Sequence, residues 1–75
     1  MVKMEVRNTS DLRLLIASNG MNLRTLSKEI NISQSYLSLI INRKRTPSPI
    51  IAKKISEVLG KEVNDIFLIN IDNKR

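Results

Sequence analysis

Hydrophobic residues recur at intervals of three and four positions through most of the chain, which is the spacing of one face of an α-helix. Polar residues occupy the positions between them. The apolar stripes consist of Leu12, Leu15 and Ile16; Leu23, Leu26 and Ile30; Leu37, Ile40 and Ile41; and Ile51, Ala52, Ile55, Val58 and Leu59. A last turn or two in residues 63–68 brings Ile66 and Phe67 inward. The pattern therefore predicts five short helices around one apolar core.

Polar cap residues and helix-stopping residues separate these segments. An N-cap side chain accepts a hydrogen bond from the first turn, and glycine or asparagine tolerates the left-handed conformation that ends a helix. The predicted N-caps are Ser10, Asn22, Ser33 and Ser48, and the predicted stops are Gly20, Asn31 and Gly60. Pro49 fits the first position of the fourth helix, where its missing N–H has no intrahelical partner to lose. The sequence thus predicts an all-α, compact five-helix domain.

The two ends of the chain lie outside the helical pattern. We divide the sequence into an N-terminal arm, residues 1–10, a helical domain, residues 11–68, and a C-terminal tail, residues 69–75. Val2, Met4 and Val6 alternate with charged residues as in a short strand, but one strand without an identified partner does not predict a sheet. The conformation of the arm stays open at this point.

The composition limits the classes of function. The 75 residues include no cysteine and no histidine, which excludes thiolate and imidazole metal sites and catalytic triads built on either residue. We therefore expect no metal, no cofactor, no small-molecule ligand and no enzymatic activity. No stretch of about 18 apolar residues is present to span a membrane, and the start MVKMEVRNTS lacks the apolar segment of a signal peptide. The expected location is the cytoplasm.

The net charge of +6 is unevenly distributed along the chain. No acidic residue lies in residues 30–56. The basic residues of this interval are Arg43, Lys44, Arg45, Lys53 and Lys54. Such segregation favours a positive surface that faces a polyanion. The alternative is an ordinary solvated basic face, and we prefer that interpretation for Lys53 and Lys54.

The second and third predicted helices are joined by a short turn around Asn31 and Ile32, which is the spacing of a helix-turn-helix. Periodicity alone leaves a generic helical bundle open, because short connections between helices are common. Several motifs in register across residues 11–68 favour the helix-turn-helix through a resemblance to a known family. These are Leu26 and Ser27, Ile32 and Ser33, Asn42, Arg45-x-Pro47, and the run LGKEVNDIF. With these motifs the chain resembles the lambda-repressor-like, or Xre-type, helix-turn-helix DNA-binding domain.

The sequence departs from the usual pattern of that family at three places. Leu23 stands where the family usually has a glutamine that helps to hold a phosphate, and Arg43 stands where a glycine is common. A non-glycine residue would then have to adopt a positive φ angle after the third helix. Ile16 and Ile41 replace an Arg and a Glu that form a buried ion pair in many members. Because both partners are apolar here, we predict that Ile16 and Ile41 touch in the core.

The resemblance implies that the third helix, residues 33–42 from Ser33 to Asn42, enters the major groove of double-stranded DNA. The residues predicted to read bases on its outward face are Gln34, Ser35, Ser38 and Leu39. A glutamine can make a bidentate bond to adenine, and a leucine can contact a thymine methyl group. The alternatives are a solvated Gln34 and a stray exposed Leu39, both of which are normal on protein surfaces.

Phosphate contacts are predicted at both ends of the third helix and at the start of the second. The predicted residues are Asn22, Arg24, Ser33, Tyr36, Asn42, Arg43, Lys44 and Arg45. Basic side chains supply charge, and the uncharged ones supply hydrogen bonds to phosphate oxygens. The alternative for each single basic residue is that it is only solvated. That alternative is weaker for the three consecutive residues Arg43, Lys44 and Arg45 taken together.

The resemblance implies a sequence-specific transcriptional regulator, and we expect a repressor that binds a near-palindromic operator as a homodimer. Candidate dimer contacts are Ile69 and Ile71 of the tail and the exposed Ile50, whereas a frayed hydrophobic terminus is the alternative. Family members are common in phages and mobile elements, which is the expected origin. The rival hypothesis is a protein-interaction module on the same fold, such as an antitoxin or an adaptor.

Overall fold

A computed structural model describes residues 2–71 of the chain. Across these residues the elements are β1 (Val2–Val6), α1 (Thr9–Ser18), α2 (Leu23–Ile30), α3 (Gln34–Ile41), α4 (Pro49–Val58), α5 (Val63–Ile66) and β2 (Phe67–Ile71). The five predicted helices are all present. The chain also contains two strands, so the prediction of an all-α fold holds only approximately.

The two strands form a small antiparallel sheet from the two ends of the chain. Val6 lies opposite Phe67 and Met4 lies opposite Ile69, and these pairs turn toward the helices. The alternating apolar residues of the arm therefore belong to a strand, β1, and its partner strand follows α5. The two residues of each pair named here are more than sixty positions apart in the sequence. Residues 2–4 of the predicted arm thus pair with residues 69–71 of the predicted tail. Residues 5 and 6 pair with Leu68 and Phe67, so the prediction that the last helical turn extends over these two positions is wrong. Residues 72–75 of the tail, and the side chain of Ile71, lie outside the described residues.

Side-chain caps determine where the helices begin. Asn22, Ser33 and Ser48 are the N-caps of α2, α3 and α4, as predicted. The prediction of Ser10 as the cap of α1 is wrong. Asn8 accepts a hydrogen bond from the backbone N–H of Asp11 at 2.9 Å, and the helix begins at Thr9. Both residue types cap helices well, so composition alone did not distinguish the two positions.

Four helices end in the same left-handed turn. The residues with positive φ are Gly20 at 74°, Asn31 at 61°, Arg43 at 63° and Gly60 at 70°. In each turn the next backbone N–H bonds to the carbonyl five residues earlier, as in the Schellman motif. After α3 this bond joins the Lys44 N–H to the Leu39 carbonyl oxygen at 2.8 Å. Arg43 therefore adopts the conformation that usually belongs to glycine.

One apolar core joins the helices to the sheet. Its buried members are Met4, Val6, Leu12, Ile16, Leu26, Ile30, Leu37, Ile40, Ile41, Ala52, Ile55, Leu59, Ile66 and Phe67. Ile16 is 3% exposed and Ile41 is fully buried, so both apolar replacements lie in this core. Of the predicted inward residues of α4, Ile51 and Val58 are only half-buried and pack against the edge of the core.

Ile16→Arg is expected to destabilise the fold because it places an unpaired charge among buried aliphatic side chains. The loss should be roughly 3 kcal/mol or more, which lowers the Tm of a domain of this size by at least about 12 °C. Thermal unfolding followed by circular dichroism measures this change.

The double variant Ile16→Arg with Ile41→Glu is the control for this prediction. It supplies a partner for the buried charge, so it should unfold at a higher temperature than Ile16→Arg alone. A single variant that melts within a few degrees of the unmodified chain would contradict the burial of this position.

Candidate nucleic-acid interface

The turn between α2 and α3 sets the direction of α3. Asn31 adopts the left-handed conformation, and the Ile32 N–H bonds to the Ser27 carbonyl oxygen at 3.0 Å. Two residues after Asn31, the Ser33 hydroxyl accepts the Tyr36 N–H at 3.0 Å and starts the next helix. The buried residues of the two helices face each other across this turn, so the opposite face of α3 is left toward solvent.

The four predicted base-reading residues lie together on that face. One open depression is lined by Leu23, Gln34, Ser35, Ser38 and Leu39. We call these five residues the reading surface. Its hydrogen-bonding groups come from α3, and Leu39 contributes an apolar side chain that is 39% exposed. Leu23, the first residue of α2, was not predicted to belong to this surface.

Two of the predicted phosphate ligands, Asn22 and Ser33, are the N-caps of α2 and α3 and directly precede Leu23 and Gln34 of the reading surface. The Asn22 side-chain oxygen accepts the Thr25 N–H at 2.9 Å, and the Thr25 hydroxyl oxygen accepts the Asn22 N–H at 2.8 Å. This reciprocal arrangement is a capping box. It fixes the start of α2, where the helix dipole favours an anion. Arg24 follows on the first turn and is exposed.

The residues after α3 carry the exposed cations. The guanidinium carbon of Arg45 lies 5.6 Å from the centroid of the Tyr36 ring, within the range of a cation–π contact. Lys44, the residue before Arg45, is also exposed. Within residues 2–71, one ion pair has a nitrogen–oxygen distance below 4.0 Å. It joins Lys53 Nζ to Glu57 Oε2 on α4 at 3.9 Å. No carboxylate of the described chain therefore neutralises Lys44 or Arg45 at that distance.

Arg43 has partners inside the protein. Its Nε donates to the Val6 carbonyl oxygen at 2.9 Å, and its Nη2 donates to the Arg7 carbonyl oxygen. The Thr9 hydroxyl also donates to the Ile41 carbonyl oxygen at 2.9 Å. These bonds attach the end of α3 to the end of β1 and the start of α1. The phosphate contact of Arg43 stays a prediction beside this structural role.

Asn42, the C-cap of α3, is held from α1. Its side-chain oxygen accepts a hydrogen bond from Nη2 of Arg13 at 3.2 Å, and its amide nitrogen lies 3.4 Å from the Ser38 hydroxyl oxygen. Arg13 thus adds a cation near the end of α3 that sequence reasoning missed. No local signal could have found it, because only the packing of α1 near α3 brings these residues together.

A comparison with protein-family models agrees with this geometry. A family model described as Helix-turn-helix matches residues 12–66, which is most of the chain. The chain belongs to this family of DNA-binding domains, the lambda-repressor-like or Xre type. Neither the curated proteins nor the solved structures contained a match to the chain. Among the described residues, no helix is long and apolar enough to cross a membrane.

Two substitutions of Arg43 separate its backbone conformation from its side-chain bonds. Arg43→Ala and Arg43→Gly both remove the hydrogen bonds to the Val6 and Arg7 carbonyl oxygens. Only glycine relieves the positive φ angle. The glycine variant should therefore be the more stable of the two by about 1 kcal/mol in urea unfolding.

The same pair of substitutions at Lys44 is the matched control. Lys44 is the next residue, is exposed, and does not have a positive φ angle. Glycine should confer no advantage over alanine there. Equal stability of the two Arg43 variants would contradict the left-handed conformation of that residue.

Proposed function

We propose that the protein is a sequence-specific transcriptional regulator, a repressor that binds a near-palindromic operator as a homodimer. The single observation that carries the proposal is the reading surface. It presents hydrogen-bonding side chains on a helix of helix-turn-helix geometry, and the cations at its end have no carboxylate within 4.0 Å among residues 2–71. Such a surface suits the edges of base pairs bordered by phosphates.

The base contacts follow from the chemistry of each side chain. Gln34 lies at the first position of α3, and its amide can pair with the N6 and N7 atoms of adenine. Ser35 and Ser38 each donate and accept, so they tolerate several base edges. Leu39 offers no polar group, and the thymine methyl is its natural partner in the major groove.

The phosphate contacts are proposed on both sides of the reading surface. The starts of α2 and α3 present backbone N–H groups and the positive ends of two helix dipoles. At the other end of α3, Lys44 and Arg45 supply charge, and the ring of Tyr36 supports Arg45. Because these contacts are independent of base sequence, they fix the position of α3 in the groove.

The dimer and the repressor role extend the proposal beyond one domain. A single recognition helix reads only a few base pairs, and two related by a two-fold axis double the site, with half-sites roughly 34 Å apart. A dimer bound across a promoter lowers transcription by excluding polymerase, and that mechanism needs no second surface. Ile50 stays a candidate contact because it is 68% exposed, whereas Ile69 is half-buried against the core.

Selection from randomised duplex DNA, followed by binding at two salt concentrations, tests the proposal. An enriched near-palindromic motif bound by two chains per duplex is the expected result. Binding without an enriched motif would contradict a specific operator. Absence of salt-dependent duplex binding would favour the rival function, a protein-interaction module such as an antitoxin or adaptor.

The double variant Lys44→Ala with Arg45→Ala should weaken binding to specific and non-specific duplexes alike. If each side chain neutralises one phosphate, the slope of log affinity against log salt falls by about 2. The control is Lys53→Ala with Lys54→Ala, which removes the same charge from α4, where Lys53 already pairs with Glu57. Equal changes in slope for the two double variants would refute a specific contact at the end of α3.

Gln34→Ala should relax the operator at one base pair in each half-site. The expected loss of discrimination is roughly 1–3 kcal/mol at that position, with little change at the others. Competition binding with single-base operator variants measures it. A uniform loss across all positions would assign Gln34 to the backbone or to the fold instead.

A further inference from the structure

The reading surface contains two leucines among its polar residues. Leu23 begins α2 and is half-buried, and Leu39 lies in the second half of α3 with 39% of its surface exposed. Both line the same open depression. The side chain at position 23 has no group that could hold a phosphate by a hydrogen bond. Leu23 packs in part against the core, and its remaining surface lines the depression that it shares with Leu39.

Exposure alone does not make a leucine part of a site. Leu14 on α1 is 72% exposed, more than Leu39, and it lies outside the depression. The distinguishing feature of Leu23 and Leu39 is that two different helices bring them to one concave surface. Gln34, Ser35 and Ser38 line the same depression. The depression therefore combines apolar and hydrogen-bonding side chains.

The major groove of unmodified B-DNA presents one apolar group, the C5-methyl of thymine, and its other base edges are hydrogen-bond donors or acceptors. A donor or acceptor placed against two leucines would lose its water without gaining a partner, which is unfavourable. We propose that Leu23 and Leu39 form a methyl-binding notch for a thymine of the operator. Leu23 is then a specificity-determining residue.

The neighbouring polar residues favour the same occupant. A base pair next to the thymine in the notch would lie against Gln34, Ser35 or Ser38. The amide and hydroxyl groups of these residues can form hydrogen bonds with the polar edges of the bases. The notch thus recognises the base at one operator position by the thymine methyl group, while the rest of the reading surface recognises neighbouring bases by hydrogen bonds. This inference rests on the proposed DNA-binding function, since it assigns part of the same surface.

The test uses the selected operator duplex and copies in which one thymine at a time is replaced by deoxyuridine. This replacement removes the methyl group and keeps the Watson–Crick pairing. Loss of one buried methyl contact is worth about a fourfold decrease in affinity. The decrease should occur at one position in each half-site, and a duplex substituted in both half-sites should bind about fifteenfold more weakly.

Leu23→Ala and Leu39→Ala should each bind the thymine duplex more weakly and lose most of the distinction between thymine and uracil. Leu14→Ala is the matched control and should keep the full distinction. Because Leu23 is half-buried, a thermal melting curve is needed to check that the Leu23→Ala variant is folded. Leu39 is more exposed, so Leu39→Ala tests the same notch with a smaller effect on the fold.

Three results would overturn the notch, and they differ from failure of the proposed function. One is equal affinity for thymine and uracil duplexes at every position. Another is a uracil effect that both leucine variants retain, because it would then come from DNA shape. A third is loss of the distinction in Leu14→Ala as well. Absence of binding to any duplex would refute DNA binding itself, and the notch with it.

Discussion

The burial of one stripe of α3 determines what the protein can present to a ligand. Leu37, Ile40 and Ile41 are fully buried, and their spacing allows only one rotation of the helix about its axis. An isolated helix of eight residues would be marginal in water, so α3 exists because this stripe packs against the core. The same rotation turns the polar face outward. Stability and the reading surface therefore depend on a single packing arrangement.

The two ends of α3 are held by different means. Ser33 caps its start locally, within three residues. Its end is held over a long distance, because the Arg43 guanidinium reaches the carbonyl groups at the end of β1 and Thr9 reaches the Ile41 carbonyl. A left-handed arginine is unfavourable by about 1 kcal/mol, and these hydrogen bonds offset that cost. The small sheet lies outside the helix-turn-helix, and through these bonds it still helps to hold α3 in position.

The features that sequence reasoning predicted are those encoded over a few residues. Helical stripes, the caps Asn22, Ser33 and Ser48, and the turn at Asn31 depend on local spacing, and all are present. Even locally, Ser10 and Asn8 compete as caps of α1, and the choice of Asn8 was not visible in the sequence. The outward position of Gln34 and Leu39 followed from the buried stripe.

The missed features are those that depend on tertiary distance. β1 could not be assigned because its partner, β2, lies at the other end of the chain, where the sequence predicted a last helical turn up to Leu68 and a tail after it. The contact of Arg13 with Asn42 and the bonds of Arg43 join positions about thirty or more residues apart. Leu23 carries a clear apolar signal, but the signal does not distinguish a core residue from a member of a binding surface.

The notch at Leu23 would change the balance between affinity and specificity. A side chain that holds a phosphate strengthens binding to every sequence equally, because the backbone is the same everywhere. A leucine at this place contributes only where a thymine methyl meets it. The exchange therefore lowers non-specific binding and raises the ratio of specific to non-specific affinity, which is the quantity that decides occupancy among many competing sites. A regulator that exchanges one of its phosphate contacts for a base contact binds non-specific DNA more weakly and still discriminates its operator.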